Sequence, residues 1–325
     1  MVLLADKNSY AWNFAEKIQA YVLNTKEMMI PLCEVIVEPF RNGELSIHIP
    51  ENMRKKDVYF IHDSSSNPSD WWVQLILIKD LLLSSSAESV TFVLPNMLYS
   101  RQDRKDKPHV PISARALANS ISSGIKRIIT MDLHAGQIQG FYPENTPVDN
   151  LHAFPEVVRY LKRSHPEKLN DLVVVSPDAG AAGRTKAFLS KLEKAQEDSF
   201  LKQEYSFALL SKERSKPGEI GSMQLIGDVS GKNCLIVDDI IDSGGTLCKA
   251  AEMLKSQGAK KVMCYGTHGI FTKGTGALCG VFDSVMTSNT HHQQNQNTEV
   301  VDVTPLFAEA IYRAQKGLSV SKLFE

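Results

Sequence analysis

The sequence lacks the features that build a disulfide framework, a zinc site or a membrane span. Its five cysteines are odd in number and widely spaced, with no Cys-x-x-Cys pair: Cys33, Cys234, Cys248, Cys264 and Cys279. Disulfides and structural zinc are therefore not expected, and the thiols are predicted to be buried and inert. No apolar run approaches the roughly 20 residues that cross a bilayer. The richest run, residues 71–83, is interrupted by Gln74, Lys79 and Asp80 and predicts a buried helix.

An excess of charge of either sign is also missing. Lys and Arg total 36 against 37 Asp and Glu, which leaves a formal charge of -1 and an isoelectric point near 6.8. This balance excludes the broad basic surface of a typical nucleic-acid-binding protein, although small anions could still be held locally. The first residues form too short an apolar run for a signal peptide and have no basic segment before them, so a cytoplasmic protein is expected.

The 325 residues, of which 43% are hydrophobic, predict a globular protein of about two domains. Short runs of Val, Ile and Leu end abruptly in polar or small residues, as buried parallel strands do. Five such strands are predicted, at residues 90–94, 128–131, 172–175, 235–237 and 262–265. Helical patterns lie between them, at residues 114–122, 154–162 and 247–257. The alternation of strands and helices indicates an α/β fold.

Both halves place acidic residues or histidine, together with glycines, directly after a strand. This shared pattern predicts two similar, open, mostly parallel-sheet domains. We expect an N-terminal domain over residues 1–150, a C-terminal domain over residues 151–305, and a final helix and tail over residues 306–325 that packs on the N-terminal domain. The His/Gln/Asn tract at residues 291–297 has no apolar anchor and predicts a solvated loop.

The most informative stretch joins a strand to a helix. Its residues are Asp238, Asp239, Ile240, Ile241, Asp242, Ser243, Gly244, Gly245 and Thr246. The glycines let successive backbone N–H groups turn towards a helix amino terminus, and two hydroxyl groups add donors, which together make a phosphate cradle. The paired acids cannot serve a phosphate directly, but their oxygens suit vicinal sugar hydroxyls or a hydrated magnesium ion. An ordinary capped turn would not need two acids at the strand end.

At this loop the sequence resembles the type I phosphoribosyltransferase fold, and over almost the whole chain it resembles the ribose-phosphate diphosphokinase family. Four further segments match in the family's order, at residues 40–44, 99–106, 131–141 and 212–214. The resemblance implies that Asp238, Asp239 and residues 242–246 bind ribose 5-phosphate. It also implies transfer of the diphosphoryl group of ATP to the anomeric hydroxyl of that sugar, which gives 5-phosphoribosyl 1-diphosphate and AMP.

Arg101, Gln102 and Asp106 correspond to the family's ATP-binding set. Arginine pairs with phosphate as a planar fork, and the amide and carboxylate can hydrogen-bond the nucleotide. Without the resemblance, residues 101–107 would be interpreted equally well as a solvated run of charges.

Phe40, Asn42 and Glu44 correspond to the family's adenine-binding loop, in which an aromatic ring stacks on the base and two polar groups read its edge. Taken alone, Asn42 and Gly43 would indicate only a hairpin turn. In the family this loop reaches in from a neighbouring subunit. The resemblance therefore implies a homo-oligomer, and the family forms hexamers built from dimers.

His134 and Asp178 correspond to the family's magnesium-associated residues, and both follow predicted strands, where ligands of open α/β sheets collect. Magnesium prefers oxygen, so Asp178 is the stronger candidate ligand, whereas a lone histidine is more often a core residue.

Lys212 and Arg214 match the family's mobile catalytic loop. Two cations there would stabilise a negatively charged transition state, and the alternative interpretation is an exposed basic linker.

The family is often regulated by phosphate and ADP at an interfacial site, and residues of that kind are present: Arg54, Gln139, Asp149, Asn150, Ser319, Ser321 and Phe324. Asn52 stands where many relatives have serine. Ala181 replaces a usual glycine after Asp178, and its Cβ is expected to crowd a diphosphate or to resist a positive φ.

Two alternatives stay open at this point. A phosphoribosyltransferase that consumes phosphoribosyl diphosphate would share the ribose loop but would not need Arg101, Gln102 and Asp106. A noncatalytic subunit associated with the synthetase would not need Lys212 and Arg214, but it would tolerate the altered diphosphate loop.

Overall fold

The computed structural model describes residues 1–196, 203–212, 223–292 and 297–324. Within these ranges the chain divides into two compact units. Unit 1 comprises Met1–His152, Thr290–His292 and the segment from Val303 onwards. Unit 2 comprises Ala153–Asn289 and the segment that ends at Asp302. Each unit is built on one seven-stranded, mostly parallel sheet with helices, which confirms the predicted α/β class.

The strands and helices are numbered in chain order. The strands are β1 Val2–Asp6, β2 Leu32–Pro39, β3 Leu45–His48, β4 Asp57–Ile61, β5 Ser89–Leu94, β6 Arg127–Met131, β7 Val148–Leu151, β8 Leu172–Ser176, β9 Ser206–Lys212, β10 Met223–Ile226, β11 Asn233–Ile241, β12 Lys261–Gly269, β13 Ser284–Ser288 and β14 Glu299–Val301. The α-helices are α1 Tyr10–Lys26, α2 Pro68–Ser84, α3 Ser113–Ile121, α4 Phe154–Ser164, α5 Ala182–Lys194, α6 Gly245–Ser256, α7 Gly276–Val281 and α8 Thr304–Lys316. Short 3-10 turns cover Gly136–Phe141, Pro166–Leu169 and Ser321–Leu323.

The sheet of unit 1 has the strand order β3-β2-β1-β4-β5-β6-β7, and β3 runs antiparallel to β2. Helices α2 and α3 cover one face of it. Helices α1 and α8 pack together, with the rings of Phe14 and Phe307 edge to face at 5.3 Å. Because α8 follows unit 2 in the sequence, unit 1 contains both ends of the chain.

Helix α2 is only partly the buried helix that its composition predicts. Trp71, Leu75, Ile78 and Leu82 recur at helical spacing and are fully buried against the sheet. The opposite face is exposed and includes Val73, Ile76, Leu77 and Leu83. Because the run is apolar on all sides, its sequence shows no periodicity that would separate the two faces of the helix. Composition alone therefore wrongly predicted that the exposed face is buried.

Unit 2 repeats the same arrangement with the order β10-β9-β8-β11-β12-β13-β14, and β10 runs antiparallel to β9. Helices α6 and α7 cover one face, where Leu247 and Leu278 join the core. Helices α4 and α5 pack together, with the rings of Phe154 and Phe188 at 5.1 Å. In both sheets the chain leaves neighbouring central strands in opposite directions, β1 and β4 in unit 1 and β8 and β11 in unit 2. Ligands of open α/β sheets bind at such switch points.

All five cysteines have free thiols. Cys33, Cys234 and Cys264 are buried, as expected, but Cys248 and Cys279 on α6 and α7 are only partly buried, which corrects the prediction for these two. Among the described residues no helix combines the length and the apolar character that a membrane span requires.

Candidate active site

The acid pair of unit 2 lies inside a strand, not after it. Strand β11 pairs with β8 only as far as Ile236, but with β12 it continues as far as Ile241. The prediction that the strand ends at Val237 was therefore wrong, because β12 also extends further, to Gly269, and supports the extra residues on one side. On the other side β8 has already ended, so the Asp238 and Asp239 segment lies at the open switch point.

Arg184 forms ion pairs with both members of this acid pair, and sequence reasoning missed it. Its Nη1 atom lies 2.9 Å from Oδ1 of Asp239 and 3.5 Å from Oδ1 of Asp238. Asp239 is only 4% exposed, so its charge needs a partner. Burial, followed by the adjacent Asp239, raises the pKa of Asp238. One feature of the sequence could have identified Arg184: it lies in the first turn of the helix that follows β8, at the same switch point.

The bend before α6 is fixed by packing on Gly244. This residue has φ 76° in the left-handed region, and a Cβ added to it would lie 2.8 Å from Cγ of Leu278. Only glycine fits both conditions. Helix α6 starts at the next residue, and its N-cap residue, Gly244, has no side chain that could cap it. Ser243, Gly245 and Thr246 are exposed around this terminus, so the first-turn N–H groups are available to an anion.

The loop after β8 carries Asp178. Its Oδ1 atom accepts a hydrogen bond of 3.0 Å from the backbone N–H of Ala181, and the side chain is partly exposed. Ala181 has φ -82°, so the expectation that it would resist a positive φ was wrong. This backbone conformation suits alanine as well as glycine.

The predicted catalytic loop lies almost entirely outside the described residues. Lys212 is the last residue of β9, where its backbone pairs with Met223 of β10. Arg214 falls in residues 213–222, which the structure does not describe.

In unit 1 the predicted ATP set lies on the loop between β5 and α3. Arg101 and Asp106 are exposed, whereas Gln102 is anchored because its Oε1 atom accepts a hydrogen bond of 2.5 Å from Oγ of Ser113. The neighbouring Asp103 accepts a hydrogen bond of 2.6 Å from Nε2 of Gln137. The loops that follow β5 and β6 therefore meet at the same edge of the sheet.

His134 follows β6 in this second loop and is exposed, so it is not the core histidine that was the alternative interpretation. It has an interaction within the chain, so it is not an isolated side chain. Gln137, three residues further on, connects this loop to the predicted ATP loop.

The predicted adenine loop is the tight connection of the antiparallel hairpin β2–β3. The Asn42 amide donates a hydrogen bond of 2.8 Å to Glu44, and the Phe40 N–H donates one of 2.7 Å to the Glu44 carbonyl. Gly43 takes the left-handed conformation, with φ 88°. Phe40 is 58% exposed although it is a large aromatic side chain. The loop is therefore a hairpin turn that also presents an exposed aromatic ring.

The structure brings some of the predicted effector residues together but not all. Asn150 accepts a hydrogen bond of 3.1 Å from the Leu133 N–H, next to His134. Phe324 packs edge to face on His152, whose Nδ1 atom lies 3.1 Å from the buried Asp132. The other effector candidates have partners of their own. Asp149 pairs with Arg127, Gln139 donates to the Gly136 carbonyl, Ser319 and Ser321 share a hydrogen bond, and the Arg54 N–H donates to Asn52.

The start of the His/Gln/Asn tract is not the solvated loop that its composition predicts. His291 is hydrogen-bonded to Oγ of Ser64 at 2.9 Å, and the His292 ring packs 5.0 Å from the Tyr10 ring. Both histidines belong to unit 1. Residues 293–296 lie outside the described residues.

The two seven-stranded sheets of matching strand order, with the acid pair inside β11 and the Gly-Gly-Thr start of α6 at one switch point, define an α/β protein of the phosphoribosyltransferase-like fold class. Two family models match the chain. The N-terminal domain of ribose phosphate pyrophosphokinase matches residues 5–124, and the phosphoribosyl synthetase-associated domain matches residues 172–325.

Several relatives are similar over nearly their whole length. Ribose-phosphate pyrophosphokinase of Agrobacterium fabrum is 41% identical over 309 residues, which cover 92% of this chain and 94% of the relative. Ribose-phosphate pyrophosphokinase 4 of Saccharomyces cerevisiae is 39% identical over 92% of this chain and 90% of the relative. The crystal structure of phosphoribosylpyrophosphate synthetase from Mycobacterium smegmatis matches with a TM-score of 0.82 at 28% identity, over 97% of this chain and 99% of that chain. The chain belongs to the ribose-phosphate pyrophosphokinase family.

Proposed function

We propose that the chain is a catalytically active ribose-phosphate diphosphokinase. It transfers the intact diphosphoryl group of ATP to the anomeric hydroxyl of ribose 5-phosphate, and the products are 5-phosphoribosyl 1-diphosphate and AMP. The family membership supports the reaction class. The observation that carries the proposal for this chain is the acid pair on β11 beside the uncapped amino terminus of α6.

The proposed ribose 5-phosphate site lies in unit 2. Asp238 and Asp239 accept hydrogen bonds from the vicinal sugar hydroxyls, for which carboxylate oxygens are suited. The loop from Asp242 to Thr246 binds the 5-phosphate through first-turn N–H groups and the two hydroxyl groups, since the N-cap residue of this helix is a glycine without a capping side chain. Arg184 pairs with both acids and holds their carboxylates in place for the sugar.

The proposed ATP site uses Arg101, Gln102 and Asp106, together with the β2–β3 loop. The exposure of Phe40 fits a ring that stacks on adenine, and Asn42 and Glu44 present polar groups beside it. In the family this loop serves a neighbouring subunit, so we propose a homo-oligomer, and specifically a hexamer, in the cytoplasm.

The proposed cofactor is Mg²⁺. The described residues contain no group of three or more His, Cys, Asp or Glu that could hold a metal ion by themselves. That arrangement fits magnesium, which usually keeps waters and binds one or two carboxylates plus substrate phosphates. Asp178 offers a partly exposed carboxylate for this role, and His134 is proposed to act through water or a phosphate oxygen. When bound, the ion neutralises phosphate oxygens.

Lys212 and Arg214 are the proposed catalytic cations, which stabilise the negative charge that develops as AMP leaves. No covalent intermediate with the protein is needed. Regulation by phosphate or ADP is proposed for the effector residues. Two contacts with the loop after β6 support it. Asn150 accepts a hydrogen bond from the Leu133 N–H, and Phe324 packs on His152, which lies beside Asp132.

The test is to incubate the purified chain alone with ATP, ribose 5-phosphate and Mg²⁺ and to separate the nucleotides. AMP formed in equal amount to phosphoribosyl diphosphate is the expected result. ADP as the only nucleotide product would contradict diphosphoryl transfer. No turnover would favour a noncatalytic subunit, and consumption of added phosphoribosyl diphosphate with a nucleobase would favour a phosphoribosyltransferase.

A further inference from the structure

The loop that carries the predicted ATP residues, between β5 and α3, begins with a buried side chain. Asn96 lies two residues after the end of β5 and is 3% exposed, and its Nδ2 atom donates a hydrogen bond of 3.1 Å to Oγ of Ser64. Ser64 lies three residues after the end of β4, the strand that pairs with β5, and is 4% exposed. Buried polar groups depend on partners within the protein, so this bond fixes the place where the loop leaves the sheet.

The same Ser64 hydroxyl is hydrogen-bonded to a residue near the other end of the sequence. Its Oγ atom lies 2.9 Å from Nδ1 of His291, which belongs to the same unit although it is 227 residues further on. A hydroxyl group has one donor and two acceptor positions, so Ser64 can bond the amide and the ring at once. His291, Ser64 and Asn96 therefore form a continuous chain of hydrogen bonds, which we call the His291 link.

Two further contacts hold the loop beyond Asn96. The Tyr99 ring packs edge to face on the Trp72 ring, with centroids 4.7 Å apart, and Gln102 accepts a hydrogen bond from Ser113 at the start of α3. Tyr99 has φ 61°, in the left-handed region, and a non-glycine residue persists there only where its surroundings hold it. Loss of the His291 link would let this segment relax, and the exposed phosphate-binding side chains of the loop would move with it.

We propose that His291 is a positioning residue for ATP, which acts through Ser64 and Asn96 on the loop between β5 and α3. The ring keeps the Ser64 hydroxyl engaged, and Ser64 keeps Asn96 in place at the start of the loop that presents Arg101 to the nucleotide phosphates. The inference rests on the proposed ATP site and adds to it a residue from a segment that composition predicts to be solvated. His291 does not touch ATP in this scheme.

The test compares His291→Phe, which keeps a ring but removes the hydrogen-bonding nitrogen, with His291→Asn, whose amide places a polar atom at the position of Nδ1. His291→Phe leaves the buried Ser64 hydroxyl short of a partner, and the usual cost of such a loss corresponds to a KM for ATP about fivefold higher. His291→Asn is expected to stay within about twofold of the parent chain. The KM for ribose 5-phosphate is expected to stay within about twofold in both variants, because the proposed sugar site lies on β11 and α6.

His292→Phe is the matched control. The His292 ring packs 5.0 Å from the Tyr10 ring, and its Nδ1 atom makes no hydrogen bond within the described part of the chain. Phenylalanine keeps this packing and removes no bond from Nδ1, so the KM for ATP is expected to be unchanged. An equal rise in His292→Phe and His291→Phe would show that the bond to Ser64 is not the cause, and it would overturn the proposal.

A double-mutant cycle with Ser64→Ala shows whether His291 acts through the link. Ser64→Ala alone is expected to raise the KM for ATP by a similar factor, and it provides the test if His291→Phe does not fold. In the Ser64→Ala background, His291→Phe is expected to change that KM by less than about twofold, because the link is already broken. The same fivefold rise in both backgrounds would contradict the proposal, as would unchanged kinetics in His291→Phe or equal rises in KM for both substrates.

Binding of ATP separates this inference from the proposed function, and it is measured by the rise in melting temperature of the intact chain with increasing ATP in the presence of Mg²⁺. If the parent chain binds ATP but releases no AMP, the proposed activity fails, and the ratio of ATP-binding constants between His291→Phe and His291→Asn still decides the role of His291. A ratio near one would reject that role, and a parent chain that binds no ATP would reject both.

Discussion

The two units share one strand order, yet they treat the helices at their switch points in opposite ways. In unit 1, Ser9 caps α1 and Asn67 caps α2 with their side chains, and Pro68 removes a further donor from the first turn of α2. In unit 2, α5 and α6 begin after Ala181 and Gly244, whose side chains offer no capping acceptor. At the switch points the scaffold thus places capping side chains at the N-cap positions of unit 1 and none at the N-cap positions of unit 2.

The antiparallel hairpins at the sheet edges differ in a related way. In unit 1 the β2–β3 connection is the short turn of residues 40–44, held by its own hydrogen bonds. In unit 2 the equivalent β9–β10 connection covers residues 213–222. Under the proposed function the two connections have different roles, with the short turn binding the base and Lys212 and Arg214 supplying cations to the reaction.

The largest effect is expected from removing one side chain from each of these two hairpins. Lys212→Ala should lower kcat by about 10²–10³-fold with little change in the KM for ATP, because it removes a donor used only in the transition state. Phe40→Ala should instead raise the KM for ATP while kcat is largely retained. Steady-state kinetics of the two variants check this contrast. Equal losses of kcat and ATP affinity in Lys212→Ala would mean that the loop binds substrate.

A slightly smaller effect is expected for the acid pair that distinguishes unit 2. Arg184→Gln leaves the buried Asp239 without its cation and should lower the unfolding free energy of unit 2 by about 3 kcal/mol. Amide hydrogen exchange of β11 and β12 reports this loss. The control is Arg159→Gln, which removes an exposed arginine paired with the partly buried Glu156 and is expected to cost less than about 1 kcal/mol. Similar exchange in the two variants would contradict the assigned role of Arg184.

In unit 1 the residue that follows β4 is a histidine, whereas the equivalent strand of unit 2 carries the acid pair. His62 is fully buried and stacked on Trp71 with ring centroids 5.4 Å apart, and burial lowers its pKa to about 4. The unfolded chain therefore binds the proton more readily, so this contribution to stability is present above about pH 6.5 and is lost as the pH falls towards 4.

The expected loss from His62 at pH 5 is about 2 kcal/mol relative to pH 7.5. Urea unfolding at the two pH values measures it, and His62→Gln should reduce the difference by about that amount. His48→Gln, at an exposed position on β3, is the control and should leave the difference unchanged. An identical pH dependence in His62→Gln would rule out this origin of acid sensitivity.

The smallest effect concerns the caps themselves. Asn67→Ala removes the side chain that accepts from the Ser69 N–H at 2.9 Å, and it should lower the stability of unit 1 by about 1 kcal/mol without affecting the KM for ribose 5-phosphate. Ser243→Ala in unit 2 should instead raise the KM for ribose 5-phosphate with little change in stability, because Ser243 is exposed and is not the N-cap residue of α6. Thermal unfolding together with kinetics distinguishes the two. A stability loss in Ser243→Ala would remove the distinction between the two units.

The fold class and the strand–loop–helix unit around residues 238–246 could be predicted from sequence because their signals are local. Short buried strands, the Gly244 bend and the acid pair all lie within one strand–loop–helix unit. What was missed depends on distant residues. The extension of β11 follows from its pairing with β12, and the placement of His291 follows from its contact with Ser64, which is 227 residues away in the sequence. Arg184 was missed for the same reason, since its partners lie 54 and 55 residues further on.

The placement of α8 in unit 1 has a consequence for how the chain is made. The Phe307 ring and the Lys26–Glu309 ion pair, at 2.9 Å, complete the face of unit 1 that α1 begins. During synthesis, the first 152 residues leave the ribosome long before α8 is translated, so their apolar face stays unprotected while unit 2 is being made. The half of the protein that is translated first is therefore the half that is finished last, and a fragment cut at residue 152 would lack part of its own core.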